Sequence, residues 1–179
     1  MTINFYNKED KYFELSNFYN SEFTIDDITY INVEQFFQSE KFNDKSNELM
    51  LEYKNLICNA DSPQKVKNLG SQTTNYRGGK WLINKKKPEL GLLNDNIKKY
   101  KDLIKIREDW NDIRDDIMYK GIFAKFTQNK DLKKLLLMTG NKILIEDSPR
   151  DWYWGIGKDR TGKNKLGELL MRLREELRD

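Results

Sequence analysis

Histidine is absent from this chain of 179 residues, and cysteine occurs once. The lack of histidine excludes Ser-His-Asp and Cys-His catalysis, HExxH metalloproteases and the histidine-containing zinc site of the nucleobase deaminases. The single Cys58 excludes an internal disulfide and a zinc site built from several cysteines, and its apolar neighbours indicate a buried side chain. Any chemistry therefore depends on Asp, Glu, Lys, Arg, Tyr, Ser or Thr.

Long apolar runs and a strong charge excess are also missing. No apolar run approaches the roughly 20 residues that a membrane-spanning helix needs, and the opening MTINFYNKED lacks the apolar core of a signal peptide. The 32 basic side chains exceed the 29 acidic ones by only three. We therefore expect no membrane partner and a cytoplasmic location, with a mildly cationic surface that suits a phosphorylated ligand.

The hydrophobic periodicity predicts a mostly helical α+β fold, a single domain over residues 1–179 with a small antiparallel sheet. Strands are predicted at 2–6 and 142–145, and a hairpin at 22–31 turns around Asp26-Asp27. Helices are predicted at 33–42, 46–58, 63–70, 103–119, 132–138 and 165–177. The glycine-, asparagine- and lysine-rich residues 71–105 are predicted to form a loop insertion.

The stretch VEQFFQSEKF, residues 33–42, presents reactive groups on one helical face. Glu34, Gln38 and Lys41 are spaced by four and three residues, so they share that face. One interpretation is a solvated polar stripe beside an aromatic core face. The other is a carboxylate and an amine that project together into a cleft. There each would move the pKa of the other toward its charged form, while burial would oppose that effect.

Two further polar clusters lie in predicted turns. In LSNFYNSEF, residues 15–23, Asn17 either pins a turn or bonds the polar edge of a ligand. In SPRDWYWGIG, residues 148–157, Asp151 stands among aromatic rings, where a ring can stack on a heterocycle while the carboxylate acts on the adjoining sugar. Gly155 permits either a tight turn or close approach of a ligand.

The residues Gly162-Lys163-Asn164 directly precede the last predicted helix. Free N–H groups at a helix start can hold a phosphate, although a glycine-rich turn is more often only a turn. The spacing differs from that of a P-loop, and no strand leads into it.

Seven motifs together resemble the YbiA-like family, also called NADAR. They occur in the family's order and cover nearly the whole chain except about 71–105. They are LSNFY (15–19), EQFFQSEKF (34–42), KNLG (67–70), KFTQN (125–129), LLLMTG (135–140), LIEDSPRDWYWGIG (144–157) and GKNKLGELLMRLR (162–174). The stretch 71–105 is longer than expected for compact members, and Trp152 falls at a position that varies in the family.

The resemblance implies an N-glycosidase that hydrolyses a ribose–nitrogen bond. The substrate it implies is either a phosphorylated ribosylamino-pyrimidine intermediate of riboflavin synthesis or ADP-ribose attached to guanine in nucleic acid. The matched carboxylates are Glu34, placed near the sugar, and Asp151, placed as partner in proton transfer, or the reverse. Lys41 offers a second route through a Schiff base with an opened ribose.

The scheme that follows from the resemblance requires no metal or other cofactor, and the missing His and Cys ligands disfavour a transition-metal site. It also predicts how the substrate is held. Trp154 would stack the base, Asn17 and Gln38 would bond polar edges, and Gly155 would allow close approach. Lys163 and Asn164 would hold a phosphate.

A binding module of ADP-ribose or nucleotides without catalytic activity is the alternative function. Such a module needs the tryptophan and the glycines, but it does not need Glu34, Lys41 and Asp151 together. The presence of all three reactive groups therefore favours an enzyme.

Overall fold

The computed structural model describes residues 1–74 and 104–178, which fall into two compact units. The first unit comprises Met1–Val33 and Met118–Asp179, and the second comprises Glu34–Ile117. The predicted fold class, α+β and mostly helical, is confirmed. The single domain over 1–179 stays a prediction, and most of the predicted insertion, 71–105, lies outside the described residues.

The described secondary structure comprises short strands, one 3-10 helix and longer α-helices. The strands are β1 (Thr2–Phe5), β2 (Phe23–Ile25), β3 (Ile28–Tyr30) and β4 (Ile143–Glu146), and the 3-10 helix is Phe13–Leu15. The helices are α1 (Val33–Glu40), α2 (Glu48–Cys58), α3 (Pro63–Thr74), α4 (Trp110–Gln128), α5 (Lys130–Met138) and α6 (Lys165–Glu176). Over 1–74 and 104–178, none of the helices is both long and apolar enough to cross a bilayer.

The strands form two separate pairs. Strands β2 and β3 make the predicted antiparallel hairpin, and its turn holds Asp26 and Asp27 at φ of 51° and 61°. Positive φ at both positions is typical of the turns whose twist matches paired strands. Strand β1 pairs in parallel with β4, with Thr2 opposite Ile143. This parallel pair was not predicted, because its partners are distant in sequence.

The last helix, α6, packs its apolar face against strand β4 in the first unit. Leu166, Leu170 and Leu173 are buried at the helical spacing that the sequence predicts, and α6 packs against β4. A Cβ on Gly167 would overlap the carbonyl oxygen of Leu144, so glycine permits this close packing. The predicted amphipathic helix is therefore confirmed.

The second unit is built on the packing of α2 against α3. Asn47 caps α2 by accepting hydrogen bonds from the N–H groups of Leu49 and Met50. The Tyr53 hydroxyl donates to the carbonyl of Leu69 at 2.9 Å, which joins the two helices in the interior. The buried cluster of this unit consists of Phe42, Met50, Tyr53, Ile57, Val66, Leu69 and Ile104.

For two helices, the predicted bounds are wrong by four residues or more. Helix α3 continues through Gly70 to Thr74. Gly70 does not end the helix, and the Gln38 side chain occupies the space that a Cβ there would take, so the glycine serves packing. Helix α4 begins at Trp110 and reaches Gln128, although the sequence predicts a helix over 103–119. Ile104 enters the core from non-helical backbone, and burial of Ile122 and Phe126 accompanies the extension of α4.

Candidate active site

Helix α1 buries the reactive residues that the sequence places on one face. The exposed fractions of Glu34, Gln38 and Lys41 are 8%, 8% and 5%. Lys41 follows directly after the last helical residue, Glu40. The interpretation of a solvated polar stripe is therefore wrong, and a carboxylate and an amine are buried together in the second unit.

Burial lowers the pKa of Lys41 to about 8, against the opposing effect of the Glu34 carboxylate. The loss of hydration disfavours the charged amine more than the neighbouring negative charge favours it. At pH 7 about one amine in ten is then neutral, compared with about one in three thousand for an ordinary lysine. Lys41 therefore has a larger neutral fraction near neutral pH than an ordinary lysine has.

The other carboxylate near the end of α1 has a different partner. Glu40 accepts a hydrogen bond from Lys54 Nζ at 2.8 Å through one oxygen and from Asn43 Nδ2 at 2.9 Å through the other. The Lys54–Glu40 ion pair is itself largely buried. Glu34 is therefore the carboxylate whose charge acts on Lys41.

The side-chain amide of Gln38 has one bonded and one unbonded end. Its Nε2 donates to Glu34 Oε1 at 2.8 Å, one helical turn away. Its own Oε1 is buried without a hydrogen-bond partner among the described residues. An unsatisfied buried oxygen is costly, and a ligand N–H or O–H can satisfy it. This oxygen lies against Gly70 of α3, in the space that a Cβ there would occupy, so the role of Gln38 in holding a polar edge of the substrate stays a prediction.

Asp151 orders the turn of residues 152–155 that follows it in the first unit, which we call the aromatic turn. Its Oδ1 accepts hydrogen bonds from the backbone N–H groups of Tyr153 at 2.9 Å and Trp154 at 2.8 Å. The two rings meet edge to face, with centroids 5.0 Å apart and planes at 87°. Trp152 is 48% exposed and donates from Nε1 to Asp159. Asp151 and Trp154 are thus held together by one local motif.

Gly155 is required by the protein's own backbone. A Cβ there would lie 2.8 Å from the Glu146 carbonyl oxygen and 3.1 Å from that of Asp151. Both obstacles are main-chain atoms, so they cannot move aside as a flexible side chain would. The glycine therefore serves the folding of the loop, and its predicted contact with substrate stays a prediction.

The expectation of free N–H groups before α6 is wrong. The backbone N–H groups of residues 163–166 all donate to carbonyls of the aromatic turn, at 2.8 to 3.1 Å. Asn164 has φ of 52°, and its side chain bridges the Leu144 carbonyl and the Glu146 N–H. Lys163 is exposed, with Nζ 5.3 Å from the Tyr153 ring centroid. A phosphate contact at Lys163 or Asn164 would therefore use side chains.

Asn17 is buried in the first unit, where its amide contacts Met118. Its Nδ2 donates to the Met118 thioether at 3.3 Å, and it is 7% exposed. Its Oδ1 is buried without a hydrogen-bond partner among the described residues. A thioether is a weak acceptor, so the amide gains little from this pairing. The predicted use of Asn17 as a ligand-binding group stays a prediction.

The sequence did not reveal Lys125 as a functional candidate. This lysine is fully buried, and its Nζ donates to the carbonyls of Glu14 at 2.6 Å and Ser16 at 2.8 Å. Burial lowers its pKa to about 7, while the carboxylates of Glu14 and Glu146 oppose the shift. The available signal was a lysine between Ala124 and Phe126, inside an apolar stretch of a helix.

Trp110 was missed as well. It opens α4, is 8% exposed, and packs against Phe37 beside the Lys41 amine. The sequence around Trp110 gives no indication of this contact, because Lys41 and Phe37 are far away along the chain.

An open cavity of about 700 Å³ in the second unit does not coincide with the predicted residues. It is lined by Asn43, Asp44, Lys45, Asn47, Met50, Lys105, Ile106, Arg107, Glu108 and Asp109. Among these residues, Arg107 donates to the two carboxylate oxygens of Asp109, from Nε at 2.6 Å and from Nη2 at 2.8 Å. We base the candidate site on the buried Glu34, Gln38 and Lys41 group, because that group carries the shifted pKa and an unsatisfied acceptor.

Comparison with known proteins gives a consistent result over nearly the full length. The model of the NADAR domain matches residues 4–178. The N-glycosidase YbiA of Shigella flexneri is 33% identical over 175 residues, which cover 98% of this chain and 88% of that protein. The maize riboflavin biosynthesis protein PYRR is 31% identical over 180 residues, covering 98% of this chain and 25% of that protein. The NMR structure of Escherichia coli YbiA has a TM-score of 0.71 and 31% identity, covering 99% of this chain and 87% of that one.

Proposed function

Because this chain belongs to the NADAR domain family, we propose that it is an N-glycosidase that acts on phosphorylated ribosylamino-pyrimidine intermediates of riboflavin synthesis. The relative from Shigella flexneri is named as an N-glycosidase, and the maize relative is named for riboflavin biosynthesis. The first name supports hydrolysis of an N-glycosyl bond, and the second supports a substrate from riboflavin synthesis. The mildly cationic chain, with net charge +3, suits a phosphorylated substrate.

One observation supports this function most directly, namely the burial of Glu34 beside Lys41. A buried carboxylate near the anomeric carbon stabilises the positive charge that develops on ribose as the C–N bond breaks. A buried amine with a pKa of about 8 retains a neutral, nucleophilic fraction at pH 7. A module that only binds its ligand needs neither property.

In the direct route, the bond between ribose C1 and the nitrogen breaks, and the departing nitrogen takes the electron pair and a proton from the carboxyl group that acts as the acid. Water then adds to C1 and gives up a proton, which restores that carboxyl group. Glu34 is proposed as the group near the sugar and Asp151 as the second carboxylate. The reverse assignment is distinguished by comparing the pH profiles of the Glu34→Gln and Asp151→Asn variants.

In the Schiff-base route, the neutral Lys41 amine attacks C1 of the opened ribose. The bond to the departing nitrogen breaks, a proton passes to that nitrogen, and an imine joins Lys41 to the sugar. Water hydrolyses the imine, which releases phosphorylated ribose and restores the amine. Borohydride added during turnover should leave a ribosyl adduct on Lys41, and active enzyme without an adduct would favour the direct route.

The test of function is product release by the purified protein and its Glu34→Gln variant. Two substrates are compared, a phosphorylated ribosylamino-pyrimidine and an oligonucleotide with ADP-ribose on guanine. We expect the wild type to release the pyrimidine and the variant to lose at least 100-fold in turnover while it still binds substrate, since removal of one charge-stabilising group costs that much. Glu48→Gln, the same change at an exposed position of the second unit, serves as control.

Each other outcome has a distinct meaning. Release of ADP-ribose from the oligonucleotide alone would assign the enzyme to nucleic-acid substrates. Silence on both substrates, combined with thermal stabilisation by ADP-ribose, would replace the enzyme with a binding module. Equal turnover by the wild type and Glu34→Gln would remove Glu34 from the mechanism.

A further inference from the structure

Two aromatic rings stand beside the Lys41 amine. The Nζ lies 5.7 Å from the ring centroid of Phe37 and 5.9 Å from that of Trp110. The two rings also contact each other, with centroids 4.9 Å apart and planes at 59°. Phe37 is 5% exposed and Trp110 is 8% exposed. The rings therefore form an apolar wall on one side of the amine.

Backbone hydrogen bonds connect Trp110 to Lys41 through Arg107. The N–H of Arg107 donates to the Lys41 carbonyl at 3.0 Å, and the N–H of Trp110 donates to the Arg107 carbonyl at 3.1 Å. The first residue of the turn 107–110 is thus hydrogen-bonded to the backbone of Lys41. This connection fixes the indole relative to the amine without depending on side-chain contacts alone.

The charged groups around the amine do not explain why its pKa is low. Glu34 on α1 raises the pKa of Lys41. Glu40 on the same helix is occupied by Lys54 of α2. Arg107 in the adjoining turn is bound to Asp109. Loss of hydration is the largest cause of the shift, so the groups that exclude water from the amine determine its protonation.

We propose that Trp110, together with Phe37, is a positioning residue that keeps the Lys41 amine dehydrated and so sets the fraction of it that can react. The link to catalysis rests on the proposed function, because the reactivity of the amine matters there only through the Schiff base. Ring faces also attract a protonated amine, but both centroids lie close to the limit of about 6 Å for that attraction. Exclusion of water therefore outweighs it.

The test is an NMR titration of the Lys41 13Cε resonance, assigned by its loss in Lys41→Arg. In Trp110→Ala, water reaches the amine, and we expect the pKa to rise by about one unit or more toward the ordinary value. The neutral fraction at pH 7 then falls about tenfold. Trp110→Phe keeps an aromatic ring beside the amine, so Lys41 should still titrate with a pKa near 8 in this variant. Lys65, an exposed lysine of α3, is the internal reference. A folded Trp110→Ala variant with Lys41 still titrating at about 8 would overturn the proposal.

A second measurement needs no change at Trp110, in case the alanine variant does not fold. The indole N–H resonance of Trp110 should shift with pH around 8 in the wild type and should not do so in Lys41→Met. An indole resonance that is equally insensitive to pH in both proteins would contradict the proposed contact.

Neither titration uses substrate, so this inference and the proposed function fail separately. A shifted titration in Trp110→Ala without turnover on either substrate supports the role of the ring and rejects the glycosidase. An unshifted titration in an enzyme that turns over rejects the role of the ring alone. If both hold, the pH profile of borohydride trapping moves upward in Trp110→Ala by the same amount as the pKa.

Discussion

At the scale of single residues, the two buried lysines Lys41 and Lys125 are the most informative groups. Each lies in the interior of its own unit, and burial lowers the pKa of each amine by more than neighbouring carboxylates raise it. A buried amine that is not fully paired destabilises its charged form and so makes stability depend on pH. Lysines in such environments are frequent at functional sites, although ion-pair networks shift pKa values too.

Lys125 should therefore make the protein more stable as the pH rises from 7 to 10.5. Its pKa is about 7 in the folded protein, compared with 10.5 for an ordinary lysine, so the unfolded chain binds one more proton in this range. We expect the wild type to gain roughly 1.4 kcal/mol per pH unit relative to Lys125→Met, measured by urea unfolding. Lys41 contributes equally to both proteins and cancels in the difference.

Lys120→Met provides the matched control for this prediction. Lys120 lies on the same helix and pairs with Asp26 at the surface, with 49% of its side chain exposed. Its removal should leave the pH dependence of the wild type intact. Parallel stability curves for the wild type and Lys125→Met would show that the buried amine does not titrate in this range.

At the scale of elements, helix α3 contains a glycine that a neighbouring helix requires. Glycine within a helix usually costs about 0.5–1 kcal/mol relative to alanine. At Gly70 the Gln38 side chain fills the space of the absent Cβ, and Gln38 in turn donates to Glu34. The glycine thus leaves room for a side chain of the candidate site.

Gly70→Ala should therefore reverse the usual effect of this substitution. The new methyl group displaces Gln38 and breaks its hydrogen bond to Glu34, so we expect a loss of about 1 kcal/mol in the free energy of unfolding. In a Gln38→Ala background the space is free, and the same substitution should stabilise by about 0.5–1 kcal/mol. Urea unfolding of the four proteins forms a double-mutant cycle, and equal effects of Gly70→Ala in both backgrounds would disprove the packing argument.

At the scale of the whole molecule, the sequence predicts one domain, while the backbone divides into two compact units. Helix α4 is continuous and carries residues 110–117 of one unit and 118–128 of the other. No linker of low-complexity composition separates them in the sequence. We propose that the chain unfolds as one cooperative domain.

Calorimetry of two matched variants tests this proposal. Leu170→Ala weakens the first unit and Ile57→Ala weakens the second, and both side chains are fully buried. Each should lose about 2–5 kcal/mol through cavity formation. A single transition, with calorimetric and van 't Hoff enthalpies equal, should move downward in both variants. Two transitions, each sensitive to only one substitution, would identify two domains.

Local sequence patterns were enough to predict most of the secondary structure and the types of side chain at the candidate site. The period of Leu166, Leu170 and Leu173 predicts α6, and Asp26-Asp27 between short apolar runs predicts the hairpin, because both signals lie within a few residues of one another. The motif containing Glu34, Gln38 and Lys41 predicts their shared face for the same reason. The absence of histidine fixed which reaction classes were excluded.

Side-chain burial, strand pairing and the protonation of buried amines depend on contacts that form only in the folded chain. The parallel pairing of β1 with β4 joins segments far apart in the sequence, and Trp110 is also distant in sequence from the Lys41 amine that it lies beside. Whether an amine is hydrated depends on such distant neighbours. The apolar residues beside Lys125 are only a weak local signal of its burial, and the sequence around Lys41 did not decide between a buried and a solvated amine. The free N–H groups expected before α6 were likewise taken by carbonyls that only the folded loop brings to them.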